Sequence, residues 1–179
     1  SVRILATKPE WGSVRDEGIM ERLLLLGMAT VLGLWPGVGL AGDLTPREIY
    51  ERSSPAVVMI IGYSNSGQGG SGGTGSIIQQ DGFVLTNAHV VIEEHTGKPY
   101  PRLTIYLKPD RVTGDRKVDL SRSGKARVVA FSQPLDLALL KLDGPPGPFP
   151  VLELDDSDKA EIGDRVVAIG HPEQGGLWT

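Results

Sequence analysis

The chain has no cysteine, which excludes disulfide staples and thiolate metal sites but does not exclude export, because many envelope proteins fold without disulfides. It also lacks a basic excess: 18 Lys and Arg stand against 22 Asp and Glu, for a formal charge of −4. A surface so balanced has no electropositive footprint for nucleic acid. No Gly-Lys-Ser/Thr completes a phosphate loop. Long apolar runs are absent but for one, Leu23 to Leu34. What remains is 179 residues with 40% hydrophobic content, enough for one to two small domains.

The single apolar run follows Met20-Glu21-Arg22, is broken by Pro36 and Gly37, and leads to the small residues of Gly39-Leu40-Ala41. Those features predict a signal peptide over residues 20–41 with cleavage after Ala41, hence an exported protein, periplasmic or secreted. An uncleaved membrane anchor is the alternative, and only in that case would the membrane be a partner. Residues 1–19 are polar and have neither an initiator methionine nor an apolar period, consistent with a start site set too early.

Past the cleavage point, Thr45-Pro46-Arg47-Glu48 has the form of a capping box opening a short helix through Arg52. Ala56 to Tyr63 reads as a strand from its β-branched content, with Gly62 marking a bulge or a close approach. Ser64 to Gly75 reads as a flexible Gly/Ser loop. Its Gly69-Gly70-Ser71-Gly72-Gly73 matches G-x-S-x-G, but a nucleophile elbow needs a helix after the turn and a strand, Ser76 to Ile78, follows here. Asp81-Gly82 is a hairpin turn pair leading into Phe83-Val84-Leu85. Leu103 to Leu107, Lys117 to Leu120, Arg127 to Phe131 and Asp136 to Leu142 continue a series of short strands that predicts an antiparallel barrel. The proline-rich stretch 143–150 reads as a connector, and Asp155 to Asp158 as a solvated, capped turn, since the glycine a calcium loop requires is missing. Asp164 to Gly170 reads as a further strand.

Two residues carry candidate chemistry. Thr86 and Asn87 can bond nearby backbone and end the strand, presenting His89 on a turn or short helix. Taken alone, that histidine is better explained by a satisfied structural imidazole. Pairing it with His95 as metal ligands would need a third ligand that the sequence does not supply. Downstream, Leu135-Asp136-Leu137-Ala138-Leu139-Leu140 places one carboxylate at the head of a segment that looks buried on both faces, where an acid is costly unless partnered. A carboxylate accepting from Nδ1 of a histidine fixes the tautomer, frees Nε2 to take a proton from a nucleophile and stabilises the resulting imidazolium.

Thr86-Asn87-Ala88-His89-Val90, Asp136-Leu137-Ala138-Leu139-Leu140 and Val167-Ala168-Ile169-Gly170-His171-Pro172 together resemble the trypsin-like serine peptidases of the HtrA (Deg) family, in the family's order and from about Thr45 to the end. The resemblance implies an all-β fold, a trypsin-like double antiparallel β-barrel. The first barrel would span residues 42–142, an inter-barrel connector 143–163, and the start of a truncated second barrel 164–179, preceded by the signal peptide and short helix. It implies a serine endopeptidase with protein or peptide substrates and no cofactor, and homo-oligomers by family analogy. His89 would be the general base, Asp136 its orienting acid, and Gly72 to Ser76 the Gly-rich approach to the first hairpin. The family's serine lies in a G-N-S-G-G motif a few dozen residues past the I-G-N-P segment, and no such motif occurs here. His171 stands where the family has Asn, and Glu173-Gln174 where it has Phe-Gly. The alternatives are a peptide-binding scaffold without a nucleophile and an incomplete gene product.

Overall fold

Six short strands, each too small to hide its own apolar face, close on one another as an antiparallel barrel. The computed structural model describes residues 44–65, 70–172 and 176–179, together with a short strand β1 at Arg3–Leu5. The predicted signal peptide, 20–41, lies outside the described residues, as do Glu173 and Gln174. Among the described residues no helix is long and apolar enough to cross a membrane.

The barrel strands are β2 (Val57–Tyr63), β3 (Gly70–Ile77), β4 (Phe83–Thr86), β5 (Arg102–Leu107), β6 (Ser123–Ser132) and β7 (Leu137–Asp143). Around the barrel they run β2-β3-β4-β7-β6-β5, and β5 closes against β2. The register places Val84 opposite Leu140 and Ile60 opposite Ile105, all fully buried. Each such side chain withdrawn from water stabilises the fold by about 1.5–3 kcal/mol. A further strand, β8 (Glu153–Asp155), pairs in parallel with β1.

The helix α1 (Pro46–Ser53) begins with the predicted capping box: Thr45 Oγ1 accepts from the Glu48 amide at 3.3 Å, while Glu48 Oε2 accepts from the Thr45 amide at 2.8 Å. Gly62 is a close approach and sits within an unbroken register, since a Cβ there would lie 2.6 Å from Tyr100 Cδ2. Asp156 caps the turn after β8 by accepting from the Asp158 amide at 3.1 Å.

Several expectations are corrected. The stretch read as a flexible loop is in its second half a strand, β3, because backbone pairing with β2 and β4 supplies the order that glycines lack by themselves. Ser71 of the G-x-S-x-G match lies within that strand, opposite Gly62. Lys117 to Leu120 is not a strand: Asp115 accepts from the Lys117 amide at 2.9 Å and caps a single helical turn, α3 (Arg116–Asp119). β7 is buried on one face only, its residues alternating with solvent-facing ones. Asp164 to Gly170 forms no ladder among the described residues, and Val166 there is 88% exposed. Gly170 instead exchanges two backbone hydrogen bonds with Thr179, at 2.8 and 3.0 Å. Between these points Trp178 is 1% exposed and donates from Nε1 to the Val57 carbonyl at 2.8 Å.

Candidate active site

β4 ends where Thr86 turns its hydroxyl onto the Thr74 carbonyl of β3, at 2.7 Å. The chain then enters the single turn α2 (Ala88–Val91). Three of its four residues, Ala88, Val90 and Val91, are buried, so the turn is nailed to the barrel by its apolar face. Val90 needs room to dock and finds it over Gly73, where a Cβ would come within 2.5 Å of Val90 Cγ2. The remaining residue, His89, points outward with its side chain 70% exposed.

Asp136 reaches the same place from the turn between β6 and β7. It does not sit inside a doubly buried strand as its apolar neighbours suggested: it precedes β7, has a φ of 49°, and keeps 44% of its side chain exposed. Solvent and hydrogen bonds, not a buried partner alone, therefore carry its charge. Its Oδ2 lies 2.7 Å from His89 Nδ1, its Oδ1 accepts from the His89 amide at 3.0 Å, and Asn87 Nδ2 donates to Oδ2 at 3.1 Å. The His89 amide, then the His89 ring and further on the Asn87 amide hold the Asp136 carboxyl below the ordinary carboxylate value. With the acid ionised, the proton of the short contact belongs on Nδ1, which leaves Nε2 as a lone-pair acceptor facing solvent. The arrangement can accept a proton at Nε2 and spread the charge onto the carboxylate.

Asn87 is the residue that reading the sequence did not single out. Its side chain was expected to bond local backbone; it bonds Asp136 across the chain instead. No signal in the sequence marked it, since an asparagine at the start of α2 predicts a cap bond that its side chain does not make. His95 is exposed, and among the described residues no group of three or more His, Asp or Glu side chains is placed to hold a metal. Among the described residues, a cleft of about 460 Å³ and another of about 590 Å³ are lined by neither His89 nor Asp136; the second runs past Gly72, Gly73 and His171.

Comparison with known proteins gives these residues a context. A family model described as "Trypsin-like peptidase domain" matches residues 73–178, an interval containing both His89 and Asp136. The chain is 32% identical over 130 residues to "Serine protease HTRA1" of Xenopus laevis, covering 70% of this chain and 24% of that protein. It is 34% identical over 126 residues to "Probable periplasmic serine endoprotease DegP-like" of Pseudomonas putida, covering 70% of this chain and 22% of that protein. The chain thus spans about a quarter of the length of these curated relatives. Among solved structures it is similar to the serine endoprotease from Yersinia pestis, with a TM-score of 0.56 and 27% identity over 75% of this chain and 42% of that one.

Proposed function

The chain belongs to the trypsin-like peptidase family, and we propose that it supplies the general base and the orienting acid of a serine endopeptidase that hydrolyses protein or peptide substrates. The observation that carries this reading is the 2.7 Å contact between His89 Nδ1 and Asp136 Oδ2, with His89 Nε2 left open to solvent. In the reaction His89 Nε2 takes the proton of a serine hydroxyl as its oxygen attacks the scissile carbonyl, then returns it to the leaving amine. Asp136 keeps the imidazole in the required tautomer and stabilises the cation that forms. Backbone N–H groups beside the serine stabilise the oxyanion. In the order of the resembling family that serine follows the segment matched here by Val167 to Pro172. The domain division follows the same reading, with the first barrel over 42–142, the connector over 143–163 and the second barrel beginning at 164.

Export to the periplasm is part of the proposal, supported by the apolar run before Gly39-Leu40-Ala41 and by the word "periplasmic" in the name of a relative. Mass analysis of the exported chain checks it, with Gly42 as its first residue.

The alternative reading is a peptide-binding scaffold with no nucleophile. A fluorophosphonate probe applied to the full-length gene product separates the two. The peptidase reading expects one labelled serine, with labelling lost in His89→Ala. Absence of labelling together with absence of casein hydrolysis in the unaltered protein assigns the scaffold instead.

A further inference from the structure

An asparagine at a helix N-cap ordinarily accepts a hydrogen bond from the second or third amide of its own helix. Asn87 occupies that position before α2 and makes no such bond. Its Nδ2 instead crosses to the β6–β7 turn, where it donates to the Asp136 carbonyl at 3.0 Å and to Asp136 Oδ2 at 3.1 Å. The exchange is reciprocal, for the amide of His89, second residue of α2, is satisfied by Asp136 Oδ1 at 3.0 Å. Asp136 meanwhile has a φ of 49°, in the left-handed region that residues with a side chain seldom adopt unless their surroundings hold them there.

We propose that Asn87 is a positioning residue of the His89–Asp136 pair: one amide nitrogen, gripping both the carbonyl and the carboxylate of Asp136, fixes the left-handed turn that aims Oδ2 at His89 Nδ1. The chemistry explains the residue type. Two acceptors lie within reach of one short-tethered nitrogen, and a primary amide offers that nitrogen two hydrogens. A serine offers one, an alanine none. The catalytic consequence of the clamp rests on the endopeptidase reading, whereas its effect on the imidazole does not.

That difference shapes the test. Serine caps a helix about as well as asparagine, so Asn87→Ser retains any capping value while losing one of the two donors, and Asn87→Ala loses both. In the 179-residue chain, nitrogen-15 NMR of the imidazole reads which ring nitrogen carries the proton of neutral His89. The unaltered chain is expected to hold it on Nδ1. Both Asn87 variants should drift toward the mixture of a free imidazole, and Asp136→Asn should go further, to the opposite tautomer. In the full-length gene product both should lower kcat by roughly 10–100-fold with KM little changed, the usual cost of losing a group that orients a catalytic side chain.

A wild-type tautomer ratio and kcat in Asn87→Ser overturn the proposal. So does a loss that tracks the unfolding midpoint and vanishes on cooling, or a failure of both variants to fold, since either assigns Asn87 to the fold alone. If the full-length product hydrolyses no peptide bond while the Asn87 variants still shift the tautomer, the clamp stands and the endopeptidase reading fails.

Discussion

Asp119 and Asp136 each accept three hydrogen bonds from donors on two residues, and their surroundings are opposite. Asp119, 1% exposed, takes the amide and hydroxyl of Thr113 and the amide of Gly114, all at 2.9 Å. Asp136, 44% exposed at its side chain, takes the amide and ring of His89 and the amide of Asn87. Both carboxyls are held below their ordinary value, Asp119 chiefly by the Thr113 amide and Asp136 chiefly by the His89 amide. A depressed carboxyl therefore does not mark a site in this barrel. What separates the two is the partner: Asp119 is closed on groups that never change charge, while Asp136 leans on an imidazole that can take up a proton and is open to solvent.

Isosteric amide substitutions break the comparison if it is mistaken. In the full-length protein, Asp136→Asn is expected to keep the fold and lower kcat by on the order of 10⁴-fold near neutral pH, because an amide favours the wrong imidazole tautomer. Asp119→Asn should do the reverse. Its new NH₂ must face one of the Thr113 or Gly114 donors, so the unfolding midpoint should fall by several degrees while kcat of the folded fraction is unchanged. Measuring both quantities on both variants decides the matter, and an exchange of the two outcomes would retire the role given to Asp136.

What could be read from the sequence divides along a physical line. Patterns set by neighbours in the chain were legible: the Thr45–Glu48 capping box, the Phe83 strand after Asp81-Gly82, and the capped turn at Asp156. The likeness of T-N-A-H-V and D-L-A-L-L to a known family pointed to the meeting of His89 with Asp136, which no local pattern contains. Features decided by distant partners were not legible. Gly70 to Gly75 lies in a strand because β2 and β4 pair with it, and Asn87 has the acceptors of Asp136 only once the barrel has closed. Asp136 looked buried because its neighbours are apolar, yet β7 hides one face only and its head stands at the rim. Trp178 offered no local signal for its burial against Val57.

The two histidines extend the comparison to a smaller effect. His89 is exposed beside a carboxylate, whereas His171 is enclosed: its amide donates to Thr74 Oγ1 at 3.0 Å, and that hydroxyl lies 3.1 Å from Nδ1. The Thr74 hydroxyl thus pairs with both the amide and Nδ1 of His171, while Nε2 is buried with no partner among the described residues. The ring stands edge-on to Trp178, with centroids 4.8 Å apart. Burial depresses its pKa from 6.5 to about 4. Since the unfolded chain binds a proton here that the native chain refuses, the contribution of His171 is complete above pH 6.5 and is lost as pH falls toward 4. Asp119 and Asp136 add little to the loss in that window, because their folded values lie below the ordinary 3.8 and most of their contribution fades under pH 4. His171→Asn, the residue that the resembling family has at this place, should therefore flatten the fall of the unfolding midpoint between pH 6.5 and 4, leaving the steeper loss below pH 4. Thermal unfolding of both proteins across that range measures it. An unchanged slope in His171→Asn would mean that His171 takes up its proton in the native barrel as readily as in the unfolded chain, and that the enclosure by Thr74 and Trp178 does not control its charge.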